Sequence, residues 1–169
     1  MKPGKPGTRS ASPIFLLIFL GCACLISYAL YLQLVKSLLP CPLCVVQRIA
    51  YWLTGLTALL AFFHSSRPAR RIYGALMAVF AFSGAVVALR QAWLVRYPEA
   101  FECGISPEEE FLNALPLARW WPSMFEANGD CADVSWTFAS LTLPDWSAIF
   151  FILLGTLAVY ALSAGRYRR

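Results

Sequence analysis

Cys41-Pro42-Leu43-Cys44 stands where a polar linker gives way to a long apolar stretch, with Arg48 four residues beyond Cys44. Two cysteines separated by two residues close a small disulfide or share a metal. Pro42 suits the first turn of a helix, where its missing N–H costs nothing. The positive end of that helix would then face both thiols and raise their thiolate fraction. Arg48 shares a helix face with Cys44. An arginine inside an apolar span is expensive and usually has a partner or a pathway, although one so near a helix start can also snorkel to the headgroups. A second pair, Cys103 and Cys131, lies in the longest polar stretch. A bridge there would either staple the loop or, if exposed or strained, react. Spacing alone does not separate these readings. A structural zinc site wants four ligands. Cys103 and Cys131 could complete a four-thiolate set, but the only histidine, His64, falls on the opposite side of the membrane in the topology below. Redox chemistry is favoured over a static disulfide, and both over a metal; no metal is expected. A redox pair where membrane meets water suggests electrons moving between protein thiols outside the bilayer and a carrier inside it.

The elements that must position these residues are membrane spans. With 59% hydrophobic and only 14% charged residues, the chain carries too little charge for an ordinary soluble domain. Four apolar stretches, Ile14–Val35, Val45–Phe63, Ile72–Leu89 and Trp146–Leu162, each match the roughly 17–25 residues that cross a bilayer as helix. Lys2, Lys5 and Arg9 precede the first span. Arg67, Arg70 and Arg71 separate the second from the third, and Arg166, Arg168 and Arg169 follow the fourth. Positive residues in short segments mark the cytoplasmic side, so both termini and the 64–71 connection are expected there. All nine acidic residues, Glu99 to Asp145, fall in the long segment expected outside. The net charge of +5 then reflects anchors beside an anionic leaflet and not nucleic-acid binding. Residues 1–13 and 165–169 read as tails, and 90–145 as the large outer loop.

Phe19-Leu20-Gly21-Cys22 loosely resembles a lipoprotein processing site, but the apolar run continues well past Cys22, which favours an uncleaved span. Cys22 and Cys24 sit mid-span on diverging faces, where buried thiols pack as small inert hydrophobes. In the outer loop, Ser106-Pro107-Glu108-Glu109 reads as a capped helix start. Phe111, Leu112 and Leu115 follow on one face, and Pro116 and Pro122 limit the helix. Trp120 and Trp121 prefer the lipid–water boundary, so a short helix lying on the membrane surface is expected. Asn128-Gly129-Asp130 is a turn that delivers Cys131. Arg90 and Gln91 end the third span on the side of Cys44, where they could cap the helix or hydrogen-bond a ligand's carbonyl.

Together these residues resemble the DsbB family of bacterial inner-membrane disulfide bond formation proteins. The likeness runs from the first span to Trp146 and rests on four features: Cys41-Pro42-Leu43-Cys44 with Arg48, the loop cysteines, Arg90-Gln91-Ala92-Trp93-Leu94, and Asn128-Gly129-Asp130-Cys131. It implies an all-α membrane protein of four antiparallel transmembrane helices, with a short interfacial helix in a long periplasmic loop. It implies a quinone-dependent protein-dithiol oxidase that reoxidises a DsbA-like periplasmic partner and passes the electrons to ubiquinone or menaquinone. Carried over by position, the disulfides are Cys103–Cys131, which takes electrons from the partner, and Cys41–Cys44, which reoxidises that pair. Cys44, Arg48 and Gln91 face the quinone. Some members carry His where Gln91 stands; Gln can still donate a hydrogen bond. Cys22 and Cys24 lie outside the family's redox pattern. The alternatives are a related membrane disulfide carrier for a specialised partner, or a membrane protein whose disulfides are purely structural.

Overall fold

The computed structural model describes residues 12–64, 66–97, 107–131 and 136–164. Four long helices form an antiparallel bundle: α1 (Ser12–Lys36), α2 (Pro42–Phe63), α3 (Arg67–Arg96) and α7 (Leu143–Ala164). All four are long and apolar enough to cross a membrane. Between α3 and α7 lie three short helices, α4 (Pro107–Ala114), α5 (Pro116–Trp120) and α6 (Pro122–Phe125), and a two-stranded hairpin, β1 (Thr137–Phe138) and β2 (Leu141–Thr142). The protein is an all-α membrane protein.

The helices extend beyond the apolar stretches for local reasons. The Ser66 side chain caps α3 by accepting from the Ala69 N–H, and a proline occupies its first turn, so Arg70 and Arg71 belong to the helix and not to the connection. The other end of α3 runs to Arg96, so the segment 90–145 opens while α3 is still helical, as its reading from sequence expects. Thr142 and Asp145 open α7. The Asp145 carboxylate accepts from the Thr142 N–H at 3.0 Å and its hydroxyl at 2.7 Å; the first of these is the return half of a capping box. Its other oxygen accepts from Arg96 at 2.9 Å, tying the end of α3 to the start of α7.

The core follows the rules of packing in lipid, where small residues let helix backbones approach. Met77, Ala78, Ala81, Ala85 and Ala88 on α3 are buried with Ala148, Phe151, Leu154, Ala158 and Ala161 on α7. Gly84 has no Cβ because the Phe151 ring occupies that space. The same ring stacks on Tyr51 of α2, with centroids 3.9 Å apart and planes 10° apart. Side by side, the helices run α1, α2, α3, α7, while α1 and α7 barely touch. The bundle is therefore open between its first and last helices.

Among the outer elements, each of Pro107, Pro116 and Pro122 begins a new short helix. Leu112 is buried against Val45 and Ala127, with Leu115 partly buried beside them. Phe111, expected on the same face, is instead 67% exposed, because the buried stripe of an eight-residue helix is too narrow to hold it. Trp120 is 84% exposed, as suits a membrane boundary. The capping expected of Ser106 lies outside the described residues.

Candidate functional site

The site is built at the mouth of α2. Cys41 is the N-cap, in extended conformation with φ −80° and ψ 166°, and Pro42 follows it in the first turn. The Cys41 sulfur accepts from the Cys44 N–H at 3.3 Å, which turns it toward the helix. The two sulfurs lie 3.0 Å apart, well beyond the ~2.05 Å of an S–S bond. Cys41, Cys44 and Cys131 are all free thiols. Neither disulfide expected from the resemblance is therefore closed at these residues. Cys103 lies outside the described residues.

Cys131 is instead buried beside Cys41, in one cluster with Leu43 and Leu94. Three sets of hydrogen bonds hold its segment there. The Asn113 side chain pairs with both backbone groups of Ala127, at 2.9 and 3.0 Å. The N–H groups of Asn128 and Gly129 both donate to the Pro40 carbonyl at 3.0 Å. Arg48 Nη1 donates to the carbonyls of Ser123 and Met124, at 3.2 and 3.3 Å. Gly129 is required at its position, because a Cβ there would meet the Leu39 carbonyl oxygen. The Asn128-Gly129-Asp130 segment is thus a bend that lets two stretches of backbone touch and so sets one thiol against another.

Electrostatics at this meeting point is ordered. Cys131 is held below the ordinary thiol value, first because Cys41 donates a hydrogen bond to it and then because the Leu43 N–H does, with burial opposing both. Cys41 is pushed up by the bonds it donates to Cys131 and Cys44 and by burial. Leu43 lies in the first turn of α2, so its contribution does not depend on whether Cys41 is reduced.

Gln91, from the far end of α3, reaches both sulfurs of the pair. Its Nε2 is 3.2 Å from Cys41 Sγ and 3.2 Å from Cys44 Sγ, and its Oε1 accepts from Gln47 Nε2 at 2.7 Å. Arg48 does not snorkel. It is 6% exposed, and besides the two carbonyls it donates to Gln33 Oε1 of α1 at 2.8 Å. Arg48 thus joins α1, α2 and α6.

Cys44, Gln47, Arg48 and Gln91 share one wall of a cavity of about 470 Å³ between α1, α2 and α7. Its other walls are almost wholly apolar, among them Leu25, Ile26 and Leu32 of α1 and Phe150 of α7, with Trp136 and Phe138 of the hairpin at its margin. An apolar cavity with a few convergent polar groups is the usual form of a small-molecule site. This one lies where α1 and α7 fail to close. The Gln91 amide, the Arg48 guanidinium and the Cys44 sulfur supply polar groups on one wall, and hydrocarbon lines most of the rest.

The structure brings together Cys41, Cys44, Arg48, Gln91 and Cys131 of the residues singled out from sequence. It separates Cys22 from Cys24. Cys22 is buried in the bundle core, as expected. Cys24 is exposed on the other face and borders the cavity, so the packing role expected for it is not what the structure gives. Gln33, Gln47 and Tyr51 were missed. Gln33 and Gln47 carried a usable signal: polar side chains inside apolar spans, the reasoning that singled out Arg48.

The sequence matches the family described as "Disulfide bond formation protein DsbB" over residues 11–161. Curated relatives named "Disulfide bond formation protein B" agree along nearly the whole length. The chain is 76% identical to that of Nitrosospira multiformis over 155 residues, covering 91% of this chain and 92% of the relative. It is 67% identical to that of Nitrosomonas europaea over 146 residues, covering 86% and 89%. It is 41% identical to that of an Azoarcus species over 163 residues, covering 95% and 97%. With its four spans, its paired thiols at the mouth of α2 and this agreement along its length, the chain belongs to the DsbB family of disulfide bond formation proteins.

Proposed function

We propose that this protein is a dithiol oxidase of the bacterial inner membrane that takes an electron pair from a DsbA-like periplasmic thiol oxidase and delivers it to a membrane quinone. The observation that carries this reading is the placement of Cys131, Cys41 and Cys44 in sequence from the loop to the wall of an apolar cavity. No single cysteine pair can both meet a protein in water and meet an apolar carrier in lipid. Two pairs in contact can.

The electron accounting closes. The partner's two thiols become a disulfide as the Cys103–Cys131 bond is reduced. The freed Cys131 thiolate attacks Cys41 of the Cys41–Cys44 disulfide, so a Cys41–Cys131 bond forms and Cys44 leaves as a thiolate. Cys103 then attacks Cys131, which restores the loop disulfide and leaves Cys41 and Cys44 reduced. Loss of two electrons and two protons from that pair re-forms Cys41–Cys44; ubiquinone or menaquinone in the cavity supplies an acceptor for both. The residues of this chain do the rest. The Leu43 N–H favours the attacking Cys131 thiolate. The Gln91 amide donates to the sulfur that leaves. The Arg48 cation stands on the same wall as Cys44, where negative charge develops.

Mapping the intermediate tests this order. In the Cys44→Ser, Cys103→Ser double variant, mild oxidation is expected to link Cys41 to Cys131, read by non-reducing digestion and mass spectrometry. A protein in which those two cysteines stay unlinked would refute the contact on which the relay depends.

A further inference from the structure

Gln47 touches neither sulfur, yet it contacts the one amide that touches both. Gln47 and Gln91 are each 6% exposed, and a buried polar group left unpaired is costly. A carboxamide has an accepting face and a donating face. Its direction is set by what its neighbours offer. Here Gln47 Nε2 donates to Gln91 Oε1 at 2.7 Å, the shorter contact of that oxygen, which also lies 3.7 Å from Cys44 Sγ, while the Gln91 NH₂ stands closer to the sulfurs, 3.2 Å from each of Cys41 and Cys44. With the amide reversed, the oxygen would take the nearer place against both sulfurs. There it would accept from a thiol but repel a thiolate.

We infer that Gln47 is a positioning residue for the cysteine pair: by donating to Gln91 Oε1 it fixes the Gln91 amide with its N–H groups toward the sulfurs, the orientation that favours thiolate. The inference rests on the relay reading, in which Cys44 leaves as a thiolate. The setting is suited to such a device. Among the described residues lining the cavity there is no carboxylate, and the titratable or charged groups are Cys24, Tyr28, Cys44, Arg48 and Tyr51. Cys41 and Cys131 adjoin the pair from the linker and the loop. Arg48 is the one guanidinium among the described residues of this wall, and it donates to Gln33 and two carbonyls. The neutral amide pair is the hydrogen-bonding group in direct contact with both sulfurs, and its donation does not titrate.

The test needs neither quinone nor partner. Purified full-length protein, reduced and held in detergent, is treated with iodoacetamide at pH 6 to 10, and alkylation at each cysteine is followed by mass spectrometry. In Gln47→Leu, alkylation of Cys44 at neutral pH is expected to slow about tenfold, the equivalent of one unit on the pH axis, with the rate at pH 10 unchanged. Gln47→Met keeps the length of the side chain but offers no donor. It should free the Gln91 amide to turn and slow the neutral-pH reaction about as much. Gln91→Leu should show the same loss, and Gln47→Leu added to Gln91→Leu should change nothing more, because the first residue acts only through the second. An unchanged Cys44 profile in both Gln47 variants overturns the inference. So does a Gln47→Leu effect that persists in full on the Gln91→Leu background. Normal quinone reduction with unchanged profiles would defeat this inference alone; the expected profiles without any quinone reduction would defeat the oxidase reading alone.

Discussion

Arg48 donates through one nitrogen to acceptors on α1 and α6 while standing on the wall of the cavity. Its replacement should therefore act twice. Arg48→Ala removes charge-assisted bonds worth ~1.5–3 kcal/mol, roughly one to two decades in rate, and frees the Ser123–Met124 backbone. Quinone reduction should slow by about that factor, and the loop should become easier to cleave by protease. Arg48→Lys should recover only part, because an ammonium is a compact, more strongly hydrated charge that is costlier to hold in a buried site. Unaltered quinone kinetics in Arg48→Ala would remove Arg48 from the site. Cys22 and Cys24 offer the contrasting case. Neither belongs to the thiol cluster of Cys41 and Cys131, so Cys22→Ala with Cys24→Ala should leave oxidase activity within about twofold of normal: Cys22 packs in the core as a small hydrophobe, and at Cys24 the change removes a single sulfur from the cavity's border. The Cys22–Cys24 spacing showed that the two face different ways; it did not show that one would border a cavity, because that depends on how α1 and α7 diverge. The register of Cys44 with Arg48 was legible from four-residue spacing alone. The partners of Arg48 were not, because Gln33 and the α6 carbonyls reach it only through the tertiary fold.

Elements differ in how much of themselves they disclose. The long helices announced themselves by apolar length, but their ends were set by caps that hydropathy does not register. Thr142-Leu143-Pro144-Asp145 is a capping signature directly before an apolar run, and it could have moved the start of α7 from Trp146 to Leu143. The hairpin gave no comparable sign. Its turn residues, Ala139 with φ 52° and Ser140 with φ 64°, occupy the left-handed region that Asn-Gly would fill without strain. Trp146 Nε1 donates to the Phe138 carbonyl at 3.2 Å, so tertiary contact holds what local preference opposes. Ser140→Gly should relieve ~1 kcal/mol of that strain and raise the thermal midpoint in detergent by a few degrees; a lowered midpoint would show that the serine side chain matters. Gly129 is the opposite case, a turn residue whose type was legible and whose purpose was not. Gly129→Val should force the segment off the Leu39–Pro40 backbone and lose two hydrogen bonds, about 1–3 kcal/mol together. Cys131 should then alkylate many-fold faster in the reduced protein. Unaltered protection of Cys131 would show that the docking does not depend on the close approach of these backbones.

At the scale of the whole molecule, the fold places the N-terminal end of α1 and the C-terminal end of α7 opposite the three thiols. The positive residues near that opposite end make the cytoplasm its expected side. Reporter fusions at Arg71 and Glu109 should read cytoplasm and periplasm respectively, and an exported reporter at Arg71 would invert the arrangement. The family resemblance, not local charge, names the partner's expected point of attack: acidic neighbours of Cys131 would repel an incoming thiolate but also make Cys131 a slightly worse leaving group. Cys131 is buried against Cys41, which agrees with Cys103 as the expected contact. Cys131→Ser should accumulate a mixed disulfide with an oxidised DsbA-like partner when Cys103 starts as a thiol, and Cys103→Ser should not. A linked peptide containing Cys131 would reverse the order of the loop cysteines. The relay as a whole is tested most directly by supplying purified protein with a reduced DsbA-like partner and following quinone absorbance beside partner oxidation. One quinone should be reduced for each partner disulfide formed, and Cys44→Ser should abolish quinone reduction and halt partner oxidation after about one equivalent, the capacity of the loop disulfide. Sustained partner oxidation without loss of quinone, or undiminished turnover in Cys44→Ser, would contradict a path that runs from the loop through Cys41 and Cys44 into the cavity.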